Sequence, residues 1–510
     1  MQINPPVSKG EKKMKLKRFI SALLCTAMAA TMAVGLTSCG GENGGEGDVL
    51  LWYQLGDKPA DHDMVMAEAN KIIQEKLGVT LDLQYIDTAS FTQKMKLKMA
   101  SGEPYDLAFT GYVNSYYDAV DMGGLYDITE LIEEVGMTDV IPEFYIDAAS
   151  VNGKVYGIPN IQVMANPFCT SLDKSLADEI GLDAEAFTQK YYEAEAAEDK
   201  LAAFEEILAM WDEYLPRVKA ARPDKFTMMP AALTPQAYET FISSVAIKKD
   251  GSSDELVLSF ELPTTKRMTE ATHKWYKEGY IRKEIASLSG EHQSDDSKRT
   301  YALHHGSNWK PGGDKLYVDT FGEPGVHVMY HKPYISQQRA LATMTSVGAN
   351  SKNPKKAVEL LKLINEDVEL FNLICFGIEG THYTKNADGT VSEIEGSGYA
   401  GIGGMAWRYG NQFNAYVMEG QDPDVWEQTE KMNNEAIKSP VLGFVPDTTS
   451  IVTEMGNMSN VSAEYAGRMM GTEDPANWWD EYVADMYEAG AQKVLDEIQR
   501  QYDEWKASQK

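Results

Sequence analysis

The chain has 510 residues, 47 Lys and Arg against 77 Asp and Glu for a formal net charge of −30, and 43% hydrophobic residues. That charge excludes nucleic acid and an anionic membrane surface as partners, because both demand a basic face. Length and apolar content allow two or three ordinary domains.

From Met14, Lys15, Lys17 and Arg18 precede an apolar stretch, Phe19 to Leu36, the layout of a secretory signal. Leu36-Thr37-Ser38-Cys39 follows as a lipobox, so cleavage before Cys39 and lipidation of Cys39 are expected, with residues 1–13 an upstream extension. A membrane-spanning reading is weaker, since the run is interrupted by Thr, Ser and Gly and is near the lower limit for crossing a bilayer. Gly40 to Asp48, a Gly/Glu stretch with no apolar side chain, reads as a flexible tether. The expected location is the outer face of the cytoplasmic membrane, held by lipid alone.

Val49 to Tyr53 is a short apolar run, a buried strand. Asp61 to Leu77 carries Val65, Ala69, Ile72, Ile73 and Leu77 at helical spacing and ends at Gly78. Val79, Leu81, Leu83 and Tyr85 alternate with polar residues as a strand does. A helix from Phe91 to Ala100 and a strand from Tyr105 to Phe109 complete a β-α-β-α-β order. That order predicts a mostly parallel sheet whose ligand lies beyond the carboxyl ends of its strands. Asn152 to Asn160 reads as a turn and a proline-ended strand, and Leu176 to Ala221 as a long helical region. β-α texture returns with a strand at Ala342–Val347 and a helix from Lys355 to Ile374, opened by Ser351 or Asn353 and Pro354. Asp388-Gly389 marks a hairpin, Gly396 to Gly404 a connector, and the chain closes in helices ending at Trp505.

No P-loop, G-x-S-x-G, H-E-x-x-H or paired C-x-x-C occurs, and nothing positive points to an enzyme. His304-His305 lacks further ligands at metal spacing and reads as polar loop. Asn386 to Gly389 lacks the terminal acids of a calcium loop, so no metal and no cofactor are expected. Cys169 and Cys375 read as buried thiols, one bridge between them being possible.

The stronger signal is aromatic: 27 Tyr, 15 Phe and 9 Trp, many in predicted loops beside amides and charges. A pyranose needs flat rings against its C–H faces and donors and acceptors around its rim. Trp52-Tyr53-Gln54, Tyr112-Val113-Asn114, Asn308-Trp309-Lys310 and Trp407-Arg408-Tyr409-Gly410-Asn411 supply both.

The lipobox, Asn152 to Pro159, Ser351 to Ala357 and Gly377 to Tyr383 together resemble family 1 extracellular solute-binding lipoproteins of carbohydrate ABC importers. Gly410 to Phe413, Leu442 to Phe444 and Glu497 through Trp505 are similar to the LipO/LplA-like subgroup with its C-terminal domain. The resemblance implies an α/β fold of the two-lobe periplasmic-binding-protein type (type II), hinged on crossovers, monomeric, closing on an oligosaccharide and docking on permease subunits. It places lobe one at 49–160 plus 342–395 and lobe two at 161–341 plus 396–510, including the C-terminal helical domain. Ligand contacts are expected from Trp52, Tyr53, Gln54 and Asp57, from Thr110, Tyr112 and Asn114, from Asn166 in the first crossover, from Trp309 and Lys310, and from Trp407, Arg408 and Asn411. Three rivals remain at this stage: a peptide receptor using Asp57 and Arg408, a tethered glycoside hydrolase with an unrecognised acid pair, and a passive adhesin.

Overall fold

The computed structural model describes residues 48–288, 300–399, 401 and 403–509; the signal segment, Cys39 and the tether up to Gly47 lie outside the described residues. The strands are β1 (Val49–Leu55), β2 (Thr80–Ile86), β3 (Leu107–Gly111), β4 (Gly157–Pro159), β5 (Phe168–Asp173), β6 (Tyr238–Ile242), β7 (Val245–Lys248), β8 (Val257–Leu258), β9 (His304–Asn308), β10 (Gly325–Met329), β11 (Tyr334–Ile335), β12 (Thr343–Val347), β13 (Tyr383–Lys385), β14 (Val391–Glu393) and β15 (Ile437–Lys438).

The first sheet runs β2-β1-β3-β12-β4. β1 pairs in parallel with β2 residue for residue, Val49 with Thr80 through Leu55 with Ile86. Strand alternation sends Leu50 and Trp52 to one face, beneath the helix His62–Leu77 with its buried Val65, Met66, Ala69 and Ile73. Leu51, Tyr53 and Leu55 go to the other face, where Phe91 and Met95 of the helix Thr88–Ser101 cover them. Asp87 opens that helix by accepting the Ser90 N–H at 3.0 Å. The expected mostly parallel sheet holds for four of its five strands; β12 alone runs the other way, antiparallel to both β3 and β4. All five β12 residues are buried.

The second sheet, β10-β5-β9, is antiparallel throughout. The helical region expected over 176–221 is three helices, Lys174–Ile180, Ala184–Ala196 and Lys200–Ala221, the last two capped by Asp183 and Asp199. They share a core with Leu172, Val328, Leu303 and Trp275. His304 and His305, expected in a polar loop, instead lie in β9 and are buried there. Cys169 is in β5 and Cys375 in the helix Val368–Phe376, both buried and not bridged. The single helix expected over 355–374 breaks at Asp367, whose carboxylate caps the second piece through the Leu370 N–H.

A third core joins two distant stretches: Val245, Ile247, Leu258 and Phe260 pack against Val441, Phe444 and the helices Val452–Gly467, Trp479–Glu488 and Ala491–Ser508. The segment 396–436, which the sequence reading gave to lobe two, places Ala406, Tyr409, Ala415 and Met432 in the same buried cluster as the first sheet. Its apolar side chains follow Phe371 and Phe376, which already belong to that cluster.

Two segments connect the sheets: 160–167 leads from β4 to β5, and 330–342 returns from β10 to β12. In the returning segment β11 pairs with β15, and buried Glu239 accepts hydrogen bonds from Tyr334 of β11 and from Ser439 just after β15. Lys249 lies 4.7 Å over the Tyr334 ring, and burial lowers its pKa to about 8.

The tightest joint is at Gly111, with φ +135°, where a Cβ would sit 2.2 Å from the Ala342 carbonyl oxygen. Only glycine fits that approach. Gly111→Ala is expected to lower unfolding free energy by about 2–4 kcal/mol, from steric strain at a positive φ. Denaturant titration checks this, and an unchanged midpoint would contradict the joint.

Candidate functional site

At the carboxyl end of β3 the chain turns out at Gly111 and exposes Tyr112, 63% accessible. Its ring lies 6.0 Å from Phe109 and 6.1 Å from Trp407, and Trp407 lies 6.0 Å edge-on to Phe109, which in turn meets Phe91 at 6.2 Å. Each such pair is worth about 0.5–1.5 kcal/mol beyond burial. Trp407 and Tyr112 are thus held from below by core phenylalanines while Tyr112 and part of Trp407 face solvent. Burial raises the Tyr112 hydroxyl pKa, and the nearby Arg408 charge offsets part of that rise.

Arg408 sits behind this pair, only 6% exposed. Its Nη1 donates to the Leu55 carbonyl, and its guanidinium lies 5.6 Å from the Tyr85 ring and 5.2 Å from that of Tyr409. Gln54 donates to the Arg408 carbonyl at 3.0 Å, stitching the end of β1 to this segment. Gly56, φ +115°, leaves room for the guanidinium, since a Cβ there would meet Nη1 at 2.7 Å.

Across the crossovers, Asn160 Nδ2 and Asn166 Oδ1 are buried without a hydrogen-bond partner among the described residues. Polar atoms so placed cost free energy unless something else satisfies them. Beyond them, the Trp309 N–H donates to the Pro167 carbonyl at 3.0 Å, and its half-buried ring packs on the crossover side of the first core. Phe168 is 39% exposed, with His331 edge-on at 5.9 Å and the Arg339 guanidinium at 5.6 Å over its ring. Arg339 Nη2 donates to Asn308 Oδ1 at 2.6 Å. His331 donates from Nδ1 to the Lys332 carbonyl and accepts the Phe168 N–H at Nε2, which fixes a neutral ring.

Four expected contacts, Trp52, Gln54, Thr110 and Asn114, are corrected, because their side chains are turned into the protein. Trp52 is fully buried under the helix His62–Leu77, edge-on to Tyr409 at 5.8 Å, because alternation in β1 turns it inward. Gln54 is engaged by Arg408, Thr110 bonds Ser346 at 2.7 Å, and Asn114 is buried beneath the Phe109 carbonyl. Tyr53 is held by Lys98, and Asn411 caps a short turn through the Phe413 N–H. Asp57 is exposed, and Lys310 is half-buried with a pKa lowered by desolvation. Of the expected residues, Tyr112 and Asp57 are exposed, Tyr53, Trp309, Lys310, Trp407 and Asn411 are half-buried, and Asn166 is buried at the crossover. Phe168, His331 and Arg339 were not foreseen. Phe168 after Pro167 and the Ser336-capped helix Gln337–Ala340 were the available signals. Among the described residues no group of three His, Cys, Asp or Glu could hold a metal ion, and no helix is long and apolar enough to cross a membrane.

Comparison with known proteins adds identity to geometry. The chain is 27% identical over 97% of its length to the whole of a carbohydrate ABC transporter substrate-binding protein of Streptococcus pneumoniae. The crystal structure of the N-glycan transport solute-binding protein from Streptococcus pneumoniae superposes with a TM-score of 0.76 at 26% identity, covering 91% of this chain and all of that one. The same protein with Man5GlcNAc gives 0.63 at 27% identity, covering 91% and 99%. The fold is that of a two-lobe solute-binding protein. The profile of a domain of unknown function, DUF3502, matches residues 440–507, the stretch that forms the third core.

Two predictions follow from this geometry. Tyr112→Ala and Trp407→Ala are each expected to weaken oligosaccharide binding by about tenfold or more, measured by calorimetry, since each removes a stacking face worth about 1–3 kcal/mol. Second, burial lowers the pKa of both His305 and His331 to about 3 from an ordinary 6.5. The unfolded chain therefore binds protons that the fold refuses between pH 6.5 and 3, so each histidine costs about 2 kcal/mol of stability at pH 5. Half-buried Glu195 and buried Glu239, with pKa values raised by desolvation, oppose this loss. His331→Gln is expected to flatten the stability slope between pH 7 and 5 in urea titrations; an unchanged slope would refute a neutral His331.

Proposed function

We propose that this chain is the substrate-binding component of a carbohydrate ABC importer, capturing an oligosaccharide between its lobes and delivering it to a permease. The observation that carries the reading is end-to-end likeness to a carbohydrate ABC substrate-binding protein. The exposed Tyr112–Trp407 pair and the unsatisfied amides of Asn160 and Asn166 give a sugar ring its stacking face and its polar rim. No catalytic step is assigned: the relatives are binding proteins.

The similar solute-binding protein has complexes with Man1GlcNAc and Man5GlcNAc, so mannose–N-acetylglucosamine oligosaccharides are the first ligand series for this chain. At 26 to 27% identity, this fold superposes with a TM-score of 0.76 on one crystal structure of that protein, and 0.66 and 0.63 on its complexes with Man1GlcNAc and Man5GlcNAc. The sequence relation is the same in each, so the difference is conformational and supports an arrangement that ligand would shift. The lipobox at Leu36–Cys39 supports export and lipid anchoring at Cys39 on the outer face of the cytoplasmic membrane, with a single copy serving each docking event.

Calorimetry and small-angle scattering on the chain from Gly40 onward are expected to show oligosaccharide binding with a smaller radius of gyration in the bound state. Absence of binding across neutral and charged glycans would overturn the receptor reading.

A further inference from the structure

We propose that the oligosaccharide taken by this site carries a carboxylate, as a sugar acid does, and that the carboxylate is seated on Arg339. The inference rests on the receptor reading and narrows its ligand class. In a chain of net charge −30, arginines find acids easily. Arg217, Arg222, Arg267, Arg282, Arg468 and Arg500 each pair with a carboxylate. Among the described residues only Arg339 and Arg408 have none within 4.0 Å.

Both lie in segments that border the Tyr112 turn: Arg408 follows Trp407, whose ring meets that of Tyr112, and Arg339 precedes Ala342. The Arg408 charge acts on the Tyr112 hydroxyl. Arg339 lies in the short helix Gln337–Ala340, and the Ala342 carbonyl just beyond it accepts the Tyr112 N–H at 2.9 Å. Lys310, next to Trp309, is a third cation with no carboxylate partner among the described residues, and burial disfavours its charged form. Asp57, next to the Gly56 that makes room for the Arg408 guanidinium, is exposed and makes no ion pair.

Partly dehydrated cations without a counter-charge are costly, and a neutral sugar does not relieve that cost. The roles divide by accessibility. Arg408 is buried and fixed by the Leu55 carbonyl and two tyrosine rings, so it supplies field rather than contact. Arg339 is half-buried, and its one side-chain hydrogen bond, to Asn308, leaves most of the guanidinium's five donors open to a bidentate carboxylate. The Phe168 ring beneath it keeps the guanidinium plane in position.

The test is calorimetry on three glycans sharing one neutral core: the core alone, the core ending in a sialic or uronic acid, and the core bearing a sulfate. At low salt the carboxylated glycan is expected to bind about tenfold tighter than the neutral core, an advantage that shrinks at high salt. Arg339→Gln is expected to bring the ratio of the two affinities near one, whatever loss both share, and Arg339→Lys to keep part of it. Equal affinities in the parent, a preference for sulfate, or a preference that survives Arg339→Gln would overturn the proposal and leave the oligosaccharide receptor standing. Absence of binding by all three glycans would remove both.

Discussion

The insertion of β12 between β3 and β4 is the constraint from which the rest of the architecture follows. β12 belongs to the first sheet by hydrogen bonding and to the far half of the chain by sequence, so the first sheet is complete only after the second has been built. Its start also sets the crossovers: the Ala342 carbonyl takes the Tyr112 N–H, and the Thr343 carbonyl takes that of Asn160. Two segments that border the site are therefore indexed to one strand end, and a shift of register there would displace both.

The site inherits its chemistry from this junction. Its stacking rings come from the carboxyl end of the central strand β3 and the 406–409 segment, its orphan amides from the outgoing crossover, and its second aromatic face from the start of β5. Rings held by core phenylalanines lose little freedom on meeting a ligand. The polar groups around them are partly dehydrated in advance, which favours a ligand rich in hydroxyls over an apolar one. The Glu239 carboxylate ties the returning segment, through Tyr334, to the stretch after β15, through Ser439.

What could be read from sequence follows the range of the forces involved. The helix 62–77, the Asp87-capped helix and the first three strands were legible because their signals are local: alternation, caps and glycine stops. The antiparallel entry of β12 was not, since a strand's direction depends on the path of the chain hundreds of residues earlier. Trp52 shows the same limit within one strand. Its loop-like neighbours suggested an exposed ring, but the face it takes is decided by which helix covers β1. Tyr112, Trp407 and Trp309 were legible as aromatics beside polar residues. Arg339 was not, because its interest lies in the absence of an acid that only three-dimensional packing reveals.

The third core has a consequence for how the protein is made. The strands β7 and β8 present Val245, Ile247 and Leu258, yet the side chains that cover them come from Val441 onward and end at Tyr502. Throughout synthesis of the intervening chain that small sheet has no apolar cover, and it gains one only when nearly the last helix emerges. The C-terminal segment thus acts as a completion signal: a polypeptide cut short by even a few turns keeps an open greasy face in its middle, which marks it for aggregation or proteolysis before it reaches its post.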